Sequence, residues 1–332
     1  MEISHFTEEE SVSESLRTLS ILPRLESHPS FQNESANQQA EPGPPHEALF
    51  LVLAYLPVFE LLNMSEVCMS LRDAVNRDLL PWLTIIVDRP LSSRLSDEIL
   101  MKIASKANCR LRTLILRNCT KITDDGLEKV IEKNPYINKL HLPACTGLTP
   151  EGIIKAVKIL SQHPNSLKSL QINGIYNLKK QHLETLYSYL QMNPSQHKPQ
   201  HILYHIYRIS PSSRSTESGR IVDVDICPQC NEVQIVFDCS RETCMQKRDR
   251  LVADCRGCNF CISRCEECGG CIDAEEQEDA ACADILCSDC WLCLSKCNYC
   301  NKPYCKRHTN QQFSSPGFCG FICEACHMTS EI

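Results

Sequence analysis

From His46 the apolar residues begin to recur at helical spacing: Leu49, Val52, Leu53 and Leu56 share one side until Pro57 ends the run. A second stretch carries Leu61, Leu62, Val67, Cys68 and Leu71 on its apolar side, with Arg72, Asp73 and Arg77 outside. The pattern predicts two short helices around a small apolar cluster that needs a neighbour or a partner. The next segment repeats. Leu111-x-x-Leu114-x-Leu116-x-x-Cys119-x-x-Ile122 returns as Ile137-x-x-Leu140-x-Leu142-x-x-Cys145-x-x-Leu148, then as Leu167-x-x-Leu170-x-Ile172-x-x-Ile175-x-x-Leu178. Gly126-Leu127 and Gly152-Ile153 follow in the first two copies and Leu183 in the third, while Ile85, Val87, Leu95 and Leu100 form an earlier, degenerate copy. Each copy reads as an alternating strand, a turn and an amphipathic helix, such as 125–133 or 150–162. No copy buries its apolar face alone, so the copies are expected to stack on one shared core. His201 to Ile209 reads as a closing strand, and Pro211 to Gly219 as a linker. Residues 1–44 show no such pattern. They are rich in Ser, Glu, Gln and Asn, and disorder is expected there.

Cysteine placement changes the picture for the last third. Of 24 cysteines, Cys68, Cys109, Cys119 and Cys145 precede residue 227, and the other twenty lie between Cys227 and Cys326. Cys119 and Cys145 sit at one repeat position that Ile175 also fills, so they are expected to pack as small hydrophobes. The dense region opens with a hairpin pattern, 221–226 and 232–237, around Cys227-x-x-Cys230. Cys239 and Cys244 follow, then Cys255-x-x-Cys258-x-x-Cys261, Cys265-x-x-Cys268-x-x-Cys271, Cys282 and Cys287-x-x-Cys290-x-x-Cys293. Cys297-x-x-Cys300, Cys305-x-x-His308, Cys319 and Cys323-x-x-Cys326 complete the set. A two-residue gap lets one turn place two sulfurs about 2.3 Å from a single tetrahedral zinc, so zinc is the preferred metal for these residues. Twenty cysteines plus His308 allow at most five four-ligand sites, and overlapping runs leave the pairing open. Iron–sulfur ligation and disulfides are the competing chemistries. Cysteine-dominated spacing favours closed structural sites over catalytic ones. A RING centre would need Cys-x-His-x-x-Cys, and His308 has no cysteine at the required offset.

Charge and targeting signals narrow the function. Net charge is −7, but residues 1–44 carry −6, 45–220 carry +7 and 221–332 carry −8. Zinc thiolates would make the last segment more negative, which disfavours nucleic acid as a partner. The acidic run 273–279 reads as a solvated loop. The N-terminus lacks a basic region followed by an apolar one, and the longest apolar stretch, 48–62, is broken by Pro57 and Glu60. No membrane partner is expected, and the expected location is nucleus and/or cytoplasm. No nucleophile–base constellation or phosphate loop is present, so no catalytic residue is assigned.

Two stretches resemble known families. Residues 44–75, with Leu56-Pro57, Leu61-Leu62 and Val67-Cys68, resemble an F-box; Pro44, Glu66 and Leu71 stand where that family has Leu, an apolar residue and Trp. The resemblance implies docking to a Skp1-type adaptor through Pro45, Leu49, Leu53, Leu56, Pro57 and Leu61. The repeats resemble cysteine-containing leucine-rich repeats. The whole chain is similar to plant F-box proteins described as Skp1-interacting partners. That resemblance implies a non-enzymatic substrate-recognition subunit of a Skp1–cullin–F-box ubiquitin ligase, reaching the cullin through the adaptor and recruiting a target that the sequence does not name. The competing readings are a zinc-finger nucleic-acid or chromatin-binding protein and a repeat scaffold with no ubiquitin role. The expected fold is multidomain α+β: a disordered acidic N-terminus (1–44), a helical F-box (45–80), a short α/β leucine-rich-repeat arc (81–210), a linker (211–220) and an irregular zinc-stapled module (221–332).

Overall fold

Pro57 and the break after Val67 divide the first apolar region into short helices instead of one long one. The computed structural model describes residues 45–163, 167–191, 202–209, 220–246, 255–314 and 320–330. The expectations for 1–44, for most of the linker and for Cys319 fall outside these residues. The chain divides into two compact units between residues 192 and 193.

In the first unit, helix α1 (Ala48–Val52) runs into a 3₁₀ turn at Leu53–Tyr55, followed by α2 (Val58–Val67) and α3 (Met69–Arg77). Leu53, Val58, Leu61, Leu71, Val75 and Trp82 form the buried cluster. Leu71 is 1% exposed, so an aliphatic side chain fills the place where the resembling family carries Trp. Trp82 supplies the large ring instead. Its Nε1 donates to the Val75 carbonyl at 2.7 Å, which satisfies the indole where it is buried. The Lys106 ammonium lies over the same ring.

Strands β1 (Thr84–Val87), β2 (Thr113–Leu116), β3 (Lys139–His141) and β4 (Ser169–Gln171) form one parallel sheet in sequence order. The registers Leu114↔Leu140 and Leu140↔Leu170 align the repeat's second apolar position across the sheet. A helix follows each strand: α4 (Asp97–Ser105), α5 (Asp124–Lys133), α6 (Pro150–Ser161) and α7 (Lys180–Tyr189). Their buried residues recur every three or four positions, as in Ile153, Ala156, Val157 and Leu160 of α6. Cys119 and Cys145 are fully buried between copies, and Cys145 Sγ donates to the Leu116 carbonyl at 3.2 Å. Cys68 is half-buried and Cys109 exposed, so core packing applies to the repeat pair alone.

The helix starts are tied from copy to copy. Thr123 caps α5 by accepting from the Gly126 N–H. The carboxylate that completes the cap comes from the preceding helix. Asp97 accepts from the Thr123 N–H at 3.0 Å and from its hydroxyl at 2.6 Å. Asp124 does the same for Thr149, at 2.9 and 2.6 Å, and Thr149 accepts from Gly152. In a single helix the third helical residue, usually Glu or Gln, would provide that acceptor. Here it is glycine, because a Cβ on Gly126 or Gly152 would overlap the carboxylate of Asp97 or Asp124. At α7 the preceding helix begins with Pro150, which offers no carboxylate, and the third residue is His182. Its Nδ1 accepts from the Lys179 N–H at 3.1 Å, so the cap is made within one helix.

Among its described residues the second unit has small apolar clusters, one around Cys265, Ile272, Leu286 and Cys287 and another around Cys297, Tyr304, Phe321 and Cys323. Three antiparallel pairs provide its regular structure: β5 (Asp225–Ile226) with β6 (Val233–Gln234), β7 (Gln277–Asp279) with β8 (Ile285–Cys287), and β9 (Gln312–Ser314) with β10 (Phe321–Cys323). The strand expected over 201–209 is instead a helix, α8 (Tyr204–Ile209). Tyr204 and Tyr207, one turn apart, meet Phe237 edge-on at centroid distances of 5.2 and 5.4 Å. Apolar contacts at this spacing override the alternation read from the sequence. Helix α9 (Glu242–Gln246) completes this part of the fold. The acidic run expected as a loop contains a 3₁₀ turn, Ala274–Glu276, and the exposed strand β7. No helix among the described residues is long and apolar enough to cross a membrane.

Candidate metal centres and helical docking face

Among the described residues, five groups of four side chains bring one potential ligand atom each to within 4.8 Å of one another. They are Cys227, Cys230, Cys258 and Cys261; Cys239, Cys244, Cys255 and Cys271; Cys265, Cys268, Cys287 and Cys290; Cys297, Cys300, Cys323 and Cys326; and Cys282, Asp284, Cys305 and His308. Cys293 is exposed and belongs to none of them. Asp284 joins a group without having been singled out in the sequence.

Three of the groups are built alike. The first cysteine pair of each closes a tight knuckle. The N–H of Asn231, Gly269 or Asn301 donates to the carbonyl of Cys227, Cys265 or Cys297 at 2.8, 2.8 and 3.0 Å. Those acceptor residues in turn donate to Glu232, Gly270 and Lys302 at 2.8, 2.9 and 3.0 Å. The residue after the second cysteine must adopt positive φ, which Asn231 (60°), Gly269 (74°) and Asn301 (56°) supply. The second pair then arrives from further along the chain. Cys287 and Cys290 lie at the end of β8 and in α10 (Ser288–Cys293), and Cys323 and Cys326 at the end of β10 and in α11 (Glu324–Ser330). The Cys258 N–H points at Cys227 Sγ and the Cys323 N–H at Cys297 Sγ, both at 3.3 Å.

The other two groups join these knuckle units. Cys239, Cys244 and Cys255 lie within the first and Cys271 directly follows the second knuckle, while Cys282 and Asp284 come from the second and Cys305 and His308 from the third. The Cys271 N–H donates to Cys239 Sγ at 3.3 Å, repeating the contact that the knuckles make.

Distances within the groups suit one tetrahedral ion. Bonds of about 2.3 Å from an ion to four thiolates imply sulfurs about 3.8 Å apart. The measured separations are 4.0 Å for Cys230–Cys258, 3.6 Å for Cys258–Cys261, 3.8 Å for Cys244–Cys271 and Cys268–Cys287, and 3.7 Å for Cys300–Cys323. An iron–sulfur cluster distributes its thiolates over several irons, so four donors converging this closely fit a single ion better.

Local electrostatics favour the thiolate at the leading cysteines. Burial alone would raise Cys227 and Cys297, but backbone N–H groups aimed at their sulfurs outweigh it. Those of Cys230, Cys258 and Gln229 bring Cys227 down to about 7, and those of Cys300, Cys323 and Tyr299 bring Cys297 down to about 6. At Cys265 a hydrogen bond with Cys268 leads, helped by the N–H groups of Cys268, Cys287 and Glu267, and the thiol falls to about 5. Charged groups outside the ligand sets hold the framework together. The Glu266 carboxylate takes the Tyr204 hydroxyl at 2.7 Å and Arg208 at 3.2 Å, and lies 3.4 Å from Arg307. Arg256 bridges Asp225 and Asp238.

The helical region of the first unit presents a second candidate site. Of the residues expected to dock an adaptor, Leu49 is exposed, Pro45, Leu56 and Pro57 are half-buried, and Leu53 and Leu61 are each 1% exposed within the unit's own core. Leu51, Val52, Tyr55, Val67 and Met69 are the further exposed apolar residues of these helices. Leu51 and Tyr55 lie four residues apart and are 72% and 80% exposed. Such large side chains on one short helical segment, kept out of the core, mark a face available to a partner.

Comparison with known proteins finds relatives for both regions. The F-box domain family matches residues 45–83, and the At3g27290 F-box protein C-terminal domain family matches 223–299. F-box protein SKIP28 of Arabidopsis thaliana is 43% identical over 296 residues, which covers 85% of this chain and 90% of that protein. F-box protein SKIP14 and F-box protein At3g27290, also of Arabidopsis thaliana, are 31% and 33% identical, covering 78% and 76% of this chain and 57% and 65% of their own lengths. A relative 43% identical over most of both chains shows that the chain belongs to the plant F-box protein family.

Proposed function

We propose that the chain is the non-catalytic substrate-recognition subunit of a Skp1–cullin–F-box ubiquitin ligase. The observation that carries this reading is the F-box over 45–83 with its exposed apolar helical face. Leu49, Leu51, Val52 and Tyr55 are the adaptor-facing residues, with Pro45, Leu56 and Pro57 at their margin. Leu53 and Leu61 act indirectly, by holding the helices that present this face. The strand–turn–helix copies are leucine-rich repeats, and they and the cysteine-rich unit recruit the protein target. The four all-cysteine groups hold zinc in closed structural sites: such an ion would fix chain segments that bury too little apolar surface to hold themselves. Ubiquitin transfer takes place on the cullin–RING core, and the protein works in the nucleus and/or cytoplasm.

Co-purification with a Skp1-type adaptor tests the reading. Leu51→Asp with Tyr55→Asp places two charges on the exposed face and spares the core, so the variant should fold and lose the adaptor. Leu53→Asp would disrupt the buried cluster and report on folding instead. Equal adaptor retention by wild type and the exposed-face variant, or none by either, refutes the proposal.

A further inference from the structure

The fifth group differs in kind from the other four. A single carboxylate oxygen, Asp284 Oδ2, lies 3.0 Å from Cys305 Sγ, 3.4 Å from Cys282 Sγ and 3.0 Å from His308 Nδ1. The two sulfurs are 3.7 Å apart, and Cys305 Sγ is 3.1 Å from the same imidazole nitrogen. Four atoms of three elements thus converge on one point, close enough together to share a single ion at bonds of about 2.0–2.3 Å.

The backbone on both sides is shaped for this. Ala283 takes a positive φ of 61° in the turn between β7 and β8, carrying Cys282 and Asp284 on either side of it. The Ala281 N–H donates to the Pro303 carbonyl at 2.7 Å, bringing that turn against the segment that leads to Cys305. His308 follows on the same turn as Cys305, with its N–H on the Cys305 carbonyl at 3.0 Å. Arg307 donates to Asp284 Oδ2 at 3.2 Å and is itself paired with Glu266. Metal-ligating carboxylates are commonly oriented by such outer hydrogen bonds.

We propose that Cys282, Asp284, Cys305 and His308 form a fifth divalent-metal site, with Asp284 as its carboxylate ligand and Arg307 as the residue that positions it. The site clamps the third knuckle unit to the second. It rests on the reading that the other four groups hold zinc, but its chemistry is its own. Two thiolates, a carboxylate and a neutral imidazole give the occupied site a formal charge of about −1, against about −2 for four thiolates, and a harder donor set. Its ion is therefore the exchangeable one, released to a chelator before the rest.

Elemental analysis of the full chain tests this directly. Wild type should carry five zinc ions, one per group, and Asp284→Ala with His308→Ala should carry four. A graded chelator should release one equivalent before the other four. Reloading that equivalent with cobalt(II) should give the absorption of a two-thiolate centre. Asp284→Cys, a variant that keeps four donors, should keep all five ions and raise the thiolate-to-cobalt charge-transfer absorbance about 1.5-fold, as a third sulfur joins two. Four ions in both wild type and the double variant would overturn the fifth site and leave the other four standing. Release of all ions in one step, or a four-thiolate cobalt spectrum in wild type, would also overturn it. No bound metal in wild type would overturn the zinc reading itself.

Discussion

Replacing Gly126 with alanine sets helix propensity against a carboxylate. In an ordinary helix interior the change should stabilise by about 1 kcal/mol. Here the new methyl group would occupy the space of the Asp97 carboxylate, which accepts the Thr123 N–H at 3.0 Å and its hydroxyl at 2.6 Å. Hydrogen bonds to charged groups contribute about 1.5–3 kcal/mol when buried, and these exposed ones are discounted to about 1–1.5 each. Losing both costs about 2–3 kcal/mol, so G126A should be net destabilising by about 1–2 kcal/mol. With Asp97→Ala already made, the obstruction is gone and the same G126A should stabilise by about 1 kcal/mol. The sign reverses, and the cycle should return a coupling energy of about 2–3 kcal/mol. Urea unfolding followed by tryptophan fluorescence measures it. The chain has two tryptophans, so Trp291→Phe leaves Trp82, buried in the first unit, as the sole reporter. Gly152 with Asp124 offers an independent repetition. If G126A shifts stability by the same sign and amount with and without Asp97, carboxylate occupancy is not why the position is glycine.

Three further outcomes are expected. His141 is buried, with Nε2 2.8 Å from Ser169 Oγ; burial first, then Lys139 and Arg117, lower its pKa to about 3. The unfolded chain therefore takes up that proton first as pH falls, and stability present above about pH 6.5 is lost below it, by about 2 kcal/mol at pH 5. His141→Gln should flatten this part of the pH–stability curve, and an unchanged slope would refute the assignment. Chelation should change the fluorescence of Trp291, which packs against the Cys265–Cys287 cluster, while Trp82 keeps its buried signal; loss of both together would contradict independent stabilisation of the two units. Cys290→Ser should lower the zinc content by one ion, whereas Cys293→Ser should leave it unchanged, and equal losses would contradict the grouping.

The repeat period was legible because each copy uses the same strand positions, and their side chains align across the sheet. The links between copies were not legible, since Asp97 and Asp124 act on the next helix start and carry no signal within their own. The exposed helical face was only partly legible for a related reason. Three-to-four spacing identifies the side that packs, and Leu53 in the 3₁₀ turn and Leu61 in α2 both turn inward. Leu51 and Tyr55 stand outside the apolar stripe. Within the cysteine region, spacing identified donors and not partners. The residue after each pair would have helped: Asn231, Gly269 and Asn301 tolerate positive φ and mark the leading knuckles, while Ile262, Trp291 and His327 follow the trailing pairs. Asp284 could not be singled out among the acidic residues, because its selection depends on a turn that brings it to Cys305. The helix at 204–209 was hidden by an alternation that Phe237, distant in sequence, overrules.

The way the joining groups alternate with the knuckles has a consequence for synthesis. The last ligand of each group emerges in chain order: Cys261, Cys271, Cys290, His308 and Cys326. Under the proposed metal reading, a growing chain could complete each centre before the next set of thiols is fully exposed. A nascent chain with many identical sulfurs is otherwise open to mispairing, and completion in sequence reduces the number of competing partners at every stage. A delay in metal supply would expose the whole set at once. The second unit should then be most sensitive to zinc during its synthesis, and far less so once finished.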